Sequence, residues 1–265
     1  MTFVSYPRTR HIKGSNFQKG DHDLKAISID EIVGKNLIIE EKMDGAQAGI
    51  SFEDGKLMLQ SRGHYLTGGP RERQFGLLKQ WATSITTELY CALSERYVMF
   101  GENMFAKHTV FYDNLPHYFM EFDVYDKETK QFLSTDARLD LFKSAGVEKL
   151  ICPVKVVSVG EFDRLTDLTD LVVESNFITE NRDQNLIISA QSAGVSEESA
   201  LAHTDLSREM EGLYIKWEED GIVKGRYKFV RQTFTNSIIE QEQHWLDRPI
   251  IRNILSDEGR ELMFL

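Results

Sequence analysis

Cysteine is almost missing from this chain, which has 2 cysteines among 265 residues. Cys91 and Cys152 lie far apart in sequence, so they provide neither a disulfide framework nor the paired spacing of a metal site. The 7 histidines show no metal-ligand spacing either. The sequence therefore predicts a protein that is not built around disulfides or a dedicated metal centre.

Long apolar runs and targeting segments are also absent. The first ten residues lack the apolar centre of a signal peptide, and no run approaches the length that spans a membrane. No repeat, low-complexity tract or Pro/Gly-rich linker divides the chain. Because 41% of the residues are hydrophobic, the chain can bury a sizeable core. We expect a soluble, cytoplasmic protein with no membrane partner.

Positive charge is scarce overall, since the net charge is −11. This excess of acid argues against a protein that coats nucleic acid by bulk electrostatics. It leaves room for a local basic groove, and the stretches 8–13 and 224–231 are the two candidates. Each is equally consistent with a solvated basic face.

Strand-like segments dominate the pattern: 36–42, 46–53, 57–61, 97–104, 117–125, 150–157, 211–217 and 223–230. Asp54-Gly55 predicts a hairpin turn between the second and third of these strands. The spacing of Phe75, Leu78, Ala82, Ile85 and Leu89 predicts one amphipathic helix over 72–93.

Further helices are expected at about 136–145, 163–174, 196–202 and 236–247, while 175–210 is polar and is predicted to be a surface excursion. The fold class is α+β, with mixed, mostly antiparallel sheets flanked by helices. We expect one domain over residues 1–235 and a short helical tail over 236–265. Only about 35 residues follow the last motif, too few for an oligonucleotide-binding barrel.

The run Glu-Lys-Met-Asp-Gly at 41–45 places Lys42 where a predicted strand breaks into a turn. A lysine that loses its proton can attack phosphorus or a carbonyl and form a covalent intermediate. The same run is also an ordinary turn, because Asp44 and Gly45 supply turn chemistry.

Further short motifs follow: Ser61-Arg62-Gly63, Phe100-Gly101-Glu102, Glu121-Phe122-Asp123, Glu211-Gly212 with Lys216, and Arg226-Tyr227-Lys228. An arginine beside glycine can grip a phosphate or ribose, and cations on one strand face can neutralise a triphosphate. Taken alone, Ser61-Arg62-Gly63 also fits an ordinary strand end, and cations on one face of an exposed strand can serve solubility alone. Strand alternation places Glu211 and Lys216 on opposite faces unless a bulge intervenes.

In this order the motifs resemble those of the covalent nucleotidyltransferase superfamily of polynucleotide ligases and capping enzymes. Within it the chain is most similar to ATP-dependent RNA ligases related to the phage type 2 enzymes and their bacterial relatives. The opening segment 6–12 adds to the likeness, which covers roughly residues 5–235. The resemblance implies an ATP-grasp-like ligase adenylation domain.

The resemblance also implies roles for individual residues. Lys42 would attack the α-phosphate of ATP and become lysyl-AMP, with Asp44 in the same motif. The nucleotide contacts would be Glu40 or Glu41 at the adenine edge, Phe122 stacked on the adenine, Arg62 and Glu102 at the ribose, and Gln47, Lys216, Arg226 and Lys228 at the phosphates. Glu211, together with Glu102, would meet Mg²⁺ or Mn²⁺ through water. The closing motif usually has lysine where Arg226 stands, so the role of Arg226 is the least defined.

The implied reaction transfers AMP to a 5′-phosphate RNA end and then seals that end to a 3′-hydroxyl, as in RNA repair. We expect Lys216, Lys228 and the metal ion to lower the pKa of Lys42 so that a neutral amine can attack. The implied partners are RNA strand ends and an end-healing kinase or phosphatase.

Three alternatives stay open: a GTP-dependent capping-type guanylyltransferase, a DNA ligase, and a non-catalytic nucleotide-binding module of the same fold. The sequence does not distinguish RNA from DNA or hybrid ends, or a nick from a single-strand break.

Overall fold

Two β-sheets face each other in this chain and enclose a cavity between them. The computed structural model describes residues 3–17, 21, 23–234 and 249–263. The strands are β1 (Arg10–His11), β2 (Leu37–Glu41), β3 (Ala46–Glu53), β4 (Lys56–Ser61), β5 (Tyr97–Asn103), β6 (Phe119–Asp126), β7 (Gln131–Phe132), β8 (Cys152–Pro153), β9 (Val156–Gly160), β10 (Gly212–Glu219) and β11 (Ile222–Val230).

The first sheet has the strand order β1-β11-β10-β2-β9. Its pairs are antiparallel except for β1 with β11. Asp220 and Gly221 both have positive φ in the turn that joins β10 to β11, which matches the twist of a tight hairpin. A Cβ on Gly212 would lie 1.9 Å from the carbonyl oxygen of Phe229, so only glycine allows β10 to begin this close to β11.

The second sheet has the order β4-β3-β5-β6-β7, and β8 adds to β6 in parallel. The predicted hairpin is confirmed: β3 and β4 are joined at Asp54 and Gly55, both with positive φ. The mostly antiparallel pairing in both sheets confirms the α+β class.

The helices are α1 (Gly76–Ser84), α2 (Thr86–Leu93), α3 (Thr135–Ser144), α4 (Leu165–Thr169), α5 (Arg182–Ser192), α6 (Glu197–Ala202) and α7 (Asp257–Met263). The prediction of one helix over 72–93 is wrong: a 3-10 turn, Pro70–Phe75, precedes α1, and the chain breaks at Ile85 before α2. The predicted helix at 136–145 is confirmed as α3, where the Ser134 hydroxyl accepts the Ala137 N–H and caps the first turn.

Three other expectations need correction. The predicted strand 150–157 is two short strands in different sheets, because β8 pairs with β6 and β9 pairs with β2. The polar stretch 175–210 contains α5, whose Leu186 and Ala190 are buried with Phe111. The predicted helix at 163–174 is only α4, five residues long. The predicted helix at 236–247 lies outside the described residues.

The largest hydrophobic cluster lies between the second sheet and helices α1–α3, and a second cluster lies on the outer face of the first sheet. Residues 249–263 join this body, since Leu255 and Met263 belong to the largest cluster. No helix in the described ranges is long and apolar enough to cross a membrane.

Candidate active site

A cavity of about 1050 Å³ opens between the two sheets, where strand ends of both meet. The predicted site residues that line it are Glu40, Glu41, Lys42, Asp44, Gln47, Arg62, Glu102, Phe122, Glu211 and Lys228. Residues more than 160 positions apart in sequence are therefore brought to one concave surface. Clefts of this size with converging polar groups are the usual form of a small-molecule site.

Lys42 and Glu211 form the ion pair at the centre of the cavity. Lys42 follows β2 and Glu211 precedes β10, and the Lys42 N–H donates to the carbonyl of Gly212 at 3.0 Å. That backbone bond aligns the two side chains, and Nζ of Lys42 lies 2.7 Å from both carboxylate oxygens of Glu211. The Lys42 side chain keeps 20% of its surface exposed, so it can be reached from the cavity.

The expectation of a lowered pKa for Lys42 is wrong for the ligand-free protein. Burial lowers this pKa, but the carboxylate of Glu211 more than offsets burial, and the pKa lies above its usual value. Lys216, which was expected to repel Lys42, is fully buried against other acids. The resting lysine is thus an ammonium group held by Glu211.

Asp44 supports the turn after Lys42. Its carboxylate accepts the N–H groups of Thr109 and Val110 at 2.7 and 2.8 Å, and its own N–H donates to the Tyr112 hydroxyl at 3.0 Å. The next residue must be small, because a Cβ on Gly45 would lie 2.8 Å from the carbonyl oxygen of Asn103. Asp44 therefore fixes backbone rather than pairing with Lys42.

Asn253, in the C-terminal segment, holds the same loop from behind. Its side chain accepts the Tyr112 N–H at 3.0 Å and donates to the Met104 carbonyl at 2.7 Å. Its backbone carbonyl accepts the Tyr118 hydroxyl at 2.8 Å. Asn253 is 1% exposed, so these bonds are shielded from water. The position of the Asp44 turn thus depends on residues about 200 positions downstream.

Glu102 and Gln47 lie opposite each other on β5 and β3. Burial raises the pKa of Glu102 to about 8, since the Lys42 ammonium only partly offsets burial and Glu211 and Asp44 add repulsion. Arg62, after β4, is exposed at the rim. A carboxyl with this pKa is ready to accept a cation or to donate a hydrogen bond.

Phe122 presents its ring to the cavity in front of two tyrosines. Its ring centroid lies 5.3 Å from that of Tyr6 in an edge arrangement and 6.0 Å from that of Tyr214. The Tyr6 hydroxyl contacts both the Asp123 carboxylate and the Tyr214 hydroxyl. This backing fixes the Phe122 ring, and its half-buried state leaves surface for a stacked base.

Glu40 lies in the cavity wall and belongs to a buried charge network. Arg138 donates to Glu40 at 2.6 Å and also contacts Glu121. Lys216 lies 2.9 Å from Glu40 and 3.4 Å from Asp123. The side chains of Glu40 and Lys216 are 0% exposed, which makes the pair strongly dependent on mutual compensation.

Lys216 and Arg226 do not line the cavity. Lys216 also contacts the carbonyl of Phe122. Arg226 lies 3.0 Å from Asp123, and its guanidinium carbon lies 3.6 Å from the ring centroid of Phe132. Glu211 precedes β10 rather than lying within it, so Glu211 and Lys216 reach different environments without a bulge between them.

Lys228 is the cation of β11 that faces the cavity, where it pairs with Asp21. Burial lowers the pKa of Lys228, Asp21 partly opposes that effect, and the Lys42 ammonium lowers the pKa further. Glu41 lines the other wall, where it accepts the Ser175 hydroxyl at 2.6 Å; burial raises its pKa to about 7.

The donor set suits a hard divalent cation. The half-buried Glu102 carboxyl has a raised pKa, and a metal ion would supply the positive charge that keeps it ionised. In the described part of the chain, no three His, Cys, Asp or Glu side chains converge as a metal site. Mg²⁺ and Mn²⁺ bound through water and phosphate oxygens need no such group.

Sequence reasoning missed several residues of this site: Arg138, Asp21, Tyr6, Tyr214, Asp123 and Asn253. Asp123 stands beside Phe122 in a motif that was recognised, and its place after an aromatic on a strand was a usable signal. Arg138 lies on α3, which carries no motif, and the sequence gives no sign that its side chain points inward.

The comparisons with known proteins identify the family and the fold. A model of the RNA ligase family matches residues 35–230. An RNA ligase of Naegleria gruberi, a glutamate-to-alanine mutant solved with AMP and Mn, matches with a TM-score of 0.54 and 15% identity over 87% of this chain and 57% of its own. The same ligase solved with PPi matches with a TM-score of 0.51 and 16% identity over 87% and 61%. No curated protein matches the chain.

The family match covers well over half of the chain, so this protein belongs to the RNA ligase family. The structural neighbours share its fold. The chain spans 57% to 61% of the length of the two Naegleria structures.

Proposed function

We propose that this protein is an ATP-dependent RNA ligase that carries AMP on Lys42. The observation that carries the proposal is the Lys42–Glu211 pair at the ends of two adjacent strands, open to a cavity lined by Phe122, Glu102 and Lys228. A reactive lysine, an aromatic ring and a phosphate-reaching cation are the groups that adenylyl transfer needs.

In the first step the neutral amine of Lys42 attacks the α-phosphorus of ATP. An N–P bond forms, the P–O bond to the β-phosphate breaks, and its electron pair leaves with pyrophosphate. The lysine loses one proton before the attack and a second as the phosphoramidate forms. Glu211, 2.7 Å from Nζ, is the acceptor placed to receive the first.

The nucleotide contacts follow from the walls of the cavity. Phe122 would stack on the adenine, with Glu40 and Glu41 at its edge, and Glu102 and the rim arginine Arg62 would bind the ribose. Gln47 and Lys228 would face the phosphates. Lys216 and Arg226 would act one layer behind, where Lys216 pairs with Glu40 and both cations contact Asp123.

Glu211 and Glu102 would hold a divalent cation through water. Such an ion, when bound, supplies positive charge to the α-phosphate and the pyrophosphate. The Naegleria structures were solved with AMP and Mn and with PPi, which supports the use of a nucleotide and a divalent cation.

AMP would then pass to a 5′-phosphate RNA end, and a 3′-hydroxyl would displace it to seal the strand. Ends with a 5′-hydroxyl or a 3′-phosphate would first need a kinase or phosphatase in the cytoplasm. Efficient sealing of such unhealed ends by the purified protein alone would count against that partner.

The test is the intact-protein mass after incubation with ATP and Mg²⁺, with Lys42→Met in parallel. We expect the wild type to gain one AMP and the variant none, while the variant still seals pre-adenylylated RNA. An unlabelled wild type, first stripped of bound AMP with pyrophosphate, would overturn the proposal. Labelling from GTP that equals labelling from ATP would point to capping chemistry instead.

A further inference from the structure

A second cavity, of about 1070 Å³, lies on the far side of the 3-10 turn Pro70–Phe75 from the first. Gln74 and Phe75 of this turn line the first cavity, whereas Arg73 lines the second. In the same way Glu102 lines the first cavity and Phe105 lines the second. One turn and one short segment therefore separate the two.

Three exposed arginines line the second cavity: Arg73 on the turn, Arg252 in the C-terminal segment and Arg260 on α7. Arg260 lies 3.3 Å from the exposed Asp257. For Arg73 and Arg252, no carboxylate of a described residue lies within ion-pair distance. The described lining of this cavity contains these three arginines and no Asp or Glu, so it is locally positive in a chain whose net charge is −11.

The basic stretches visible in the sequence do not provide such a surface. Arg8 pairs with Asp23, Arg226 with Asp123 and Lys228 with Asp21. Lys224 lies 3.4 Å from Asp220. Their charge is largely compensated within the protein. The arginines that line the second cavity lie up to 187 residues apart in sequence, so no local sequence pattern predicts this surface.

The fold holds two of these arginines in place. The carbonyl of Arg252 accepts the Ser189 hydroxyl of α5 at 2.8 Å, and its guanidinium carbon lies 5.4 Å from the ring centroid of Phe105. Tyr118 also lines the cavity; burial raises its pKa, and the charges of Arg252 and Arg260 partly oppose that rise. The Phe105 contact of Arg252 and the Asp257 contact of Arg260 orient these two cations before any ligand binds.

We propose that the second cavity binds the phosphodiester backbone of the RNA strand whose end is held in the first. A strand that leaves the first cavity beside Gln74 and crosses the turn meets Arg73, and then the pair Arg252 and Arg260. Arginine binds phosphates through paired N–H donors and stacks on unpaired bases, which suits single-stranded RNA. The inference rests on the proposed ligase function and extends it to strand recognition.

The experiment compares the triple variant Arg73→Ala/Arg252→Ala/Arg260→Ala with a control triple, Lys56→Ala/Lys149→Ala/Arg164→Ala. The control removes the same charge from exposed positions outside both cavities. Binding is measured for a 5′-phosphorylated RNA of about 20 nucleotides, longer than the site of a single-strand-binding module, and for its 5′-terminal trinucleotide. AMP labelling by ATP, which needs no RNA, reports on the first cavity.

We expect the arginine variant to bind the long strand about 10- to 100-fold more weakly, and the slope of log affinity against log salt to become shallower by about 2, since three phosphate contacts are lost. Trinucleotide binding and AMP labelling should match the control triple. The variant Arg73→Lys/Arg252→Lys/Arg260→Lys should keep most of the salt dependence, because its charge is unchanged.

Equal long-strand affinity in the arginine and control triples would overturn the proposal, and so would an equal loss for the trinucleotide. If polyglutamate binds the wild type as tightly as RNA and loses as much in the arginine variant, the surface recognises an acidic protein and the proposal is wrong. Failure of the wild type to label with AMP is a separate result, which overturns the ligase function itself.

Discussion

Two lysine–glutamate pairs join β2 and β10, and they differ in their position along the strands and in their exposure. Lys42–Glu211 bridges the end of β2 and the start of β10, and its lysine is 20% exposed in the cavity. Lys216–Glu40 bridges the interiors of the same strands, and both of its side chains are 0% exposed. The first pair has the lysine on the β2 side, and the second has it on β10.

The difference teaches that position in the strand decides what a charged pair can do. Lys216 is enclosed by Glu40, Asp123 and the Phe122 carbonyl, so it cannot leave without uncovering buried charge. Among the described residues, the ion-pair partner of Lys42 is Glu211, and both residues line the cavity. A ligand that enters the cavity can therefore displace the Lys42 ammonium from Glu211. The pair at the strand ends can therefore react with a ligand, whereas the buried pair holds the two strands together.

The largest expected effect tests the buried pair. Lys216→Met should lower the free energy of unfolding by about 3–5 kcal/mol, because Glu40 and Asp123 lose a buried cation. Urea unfolding measures the change. Lys42→Met is the matched control and should lose less, since the Lys42 side chain is 20% exposed and water from the cavity can replace its ammonium beside Glu211. An equal loss in the two variants would remove the distinction between the pairs.

The second prediction concerns the exposed pair. Glu211→Gln should slow AMP labelling by about 10²–10³-fold, the usual loss for a charged group aimed at a reacting centre. Attack needs a neutral amine, and Glu211 raises the pKa of Lys42, so the rising limb of the rate–pH profile should move to lower pH in the variant. Glu209→Gln, an exposed neighbour, is the control. A limb that stays in place would show that Glu211 does not govern this proton.

The third prediction concerns the remote support of the Lys42 turn. Asn253→Ala removes two side-chain hydrogen bonds to the loop that holds Asp44, and should lower stability by about 1–3 kcal/mol. AMP labelling should fall while labelling of Asn114→Ala, an exposed asparagine in that loop, stays at the wild-type rate. Unchanged labelling of Asn253→Ala at a temperature where it is folded would mean that the turn is set locally.

The smallest effect is a pH dependence of stability in the absence of nucleotide and metal. Folded Glu102 keeps its proton up to pH about 8, whereas the usual pKa is 4.5, so the folded state binds more protons in this window. Stability should therefore fall as the pH rises from about 5 to 8. Over the same pH range, the Tm of Glu102→Gln should fall by a few degrees less than the Tm of the wild type. In this variant stability should still fall somewhat with pH, because burial raises the pKa values of Glu41 and Glu121 to about 7. An unchanged slope would assign the effect to those two residues alone.

Much of the fold follows from local pattern. The hairpin at Asp54-Gly55 and the strands at 46–53 and 97–104 were predictable, because alternation and turn chemistry act over a few residues. The helix over 72–93 was not, since its periodicity continues across the break at Ile85. The prediction of one strand over 150–157 was wrong because the chain passes from one sheet to the other within this stretch. Only the positions of both sheets show that change.

The sequence by itself determined the family and the order of the motifs, and it placed Lys42 at the end of a strand, since these depend on residue types in a fixed order along the chain. Tertiary structure alone decided which cations reach the cavity. Lys42 and Lys228 face it, whereas Lys216 and Arg226 are compensated behind it by Glu40 and Asp123. It also decided that Arg73, Arg252 and Arg260 meet on one surface. The reason is physical: charge compensation and burial depend on distances between segments remote in sequence, which a linear pattern does not contain.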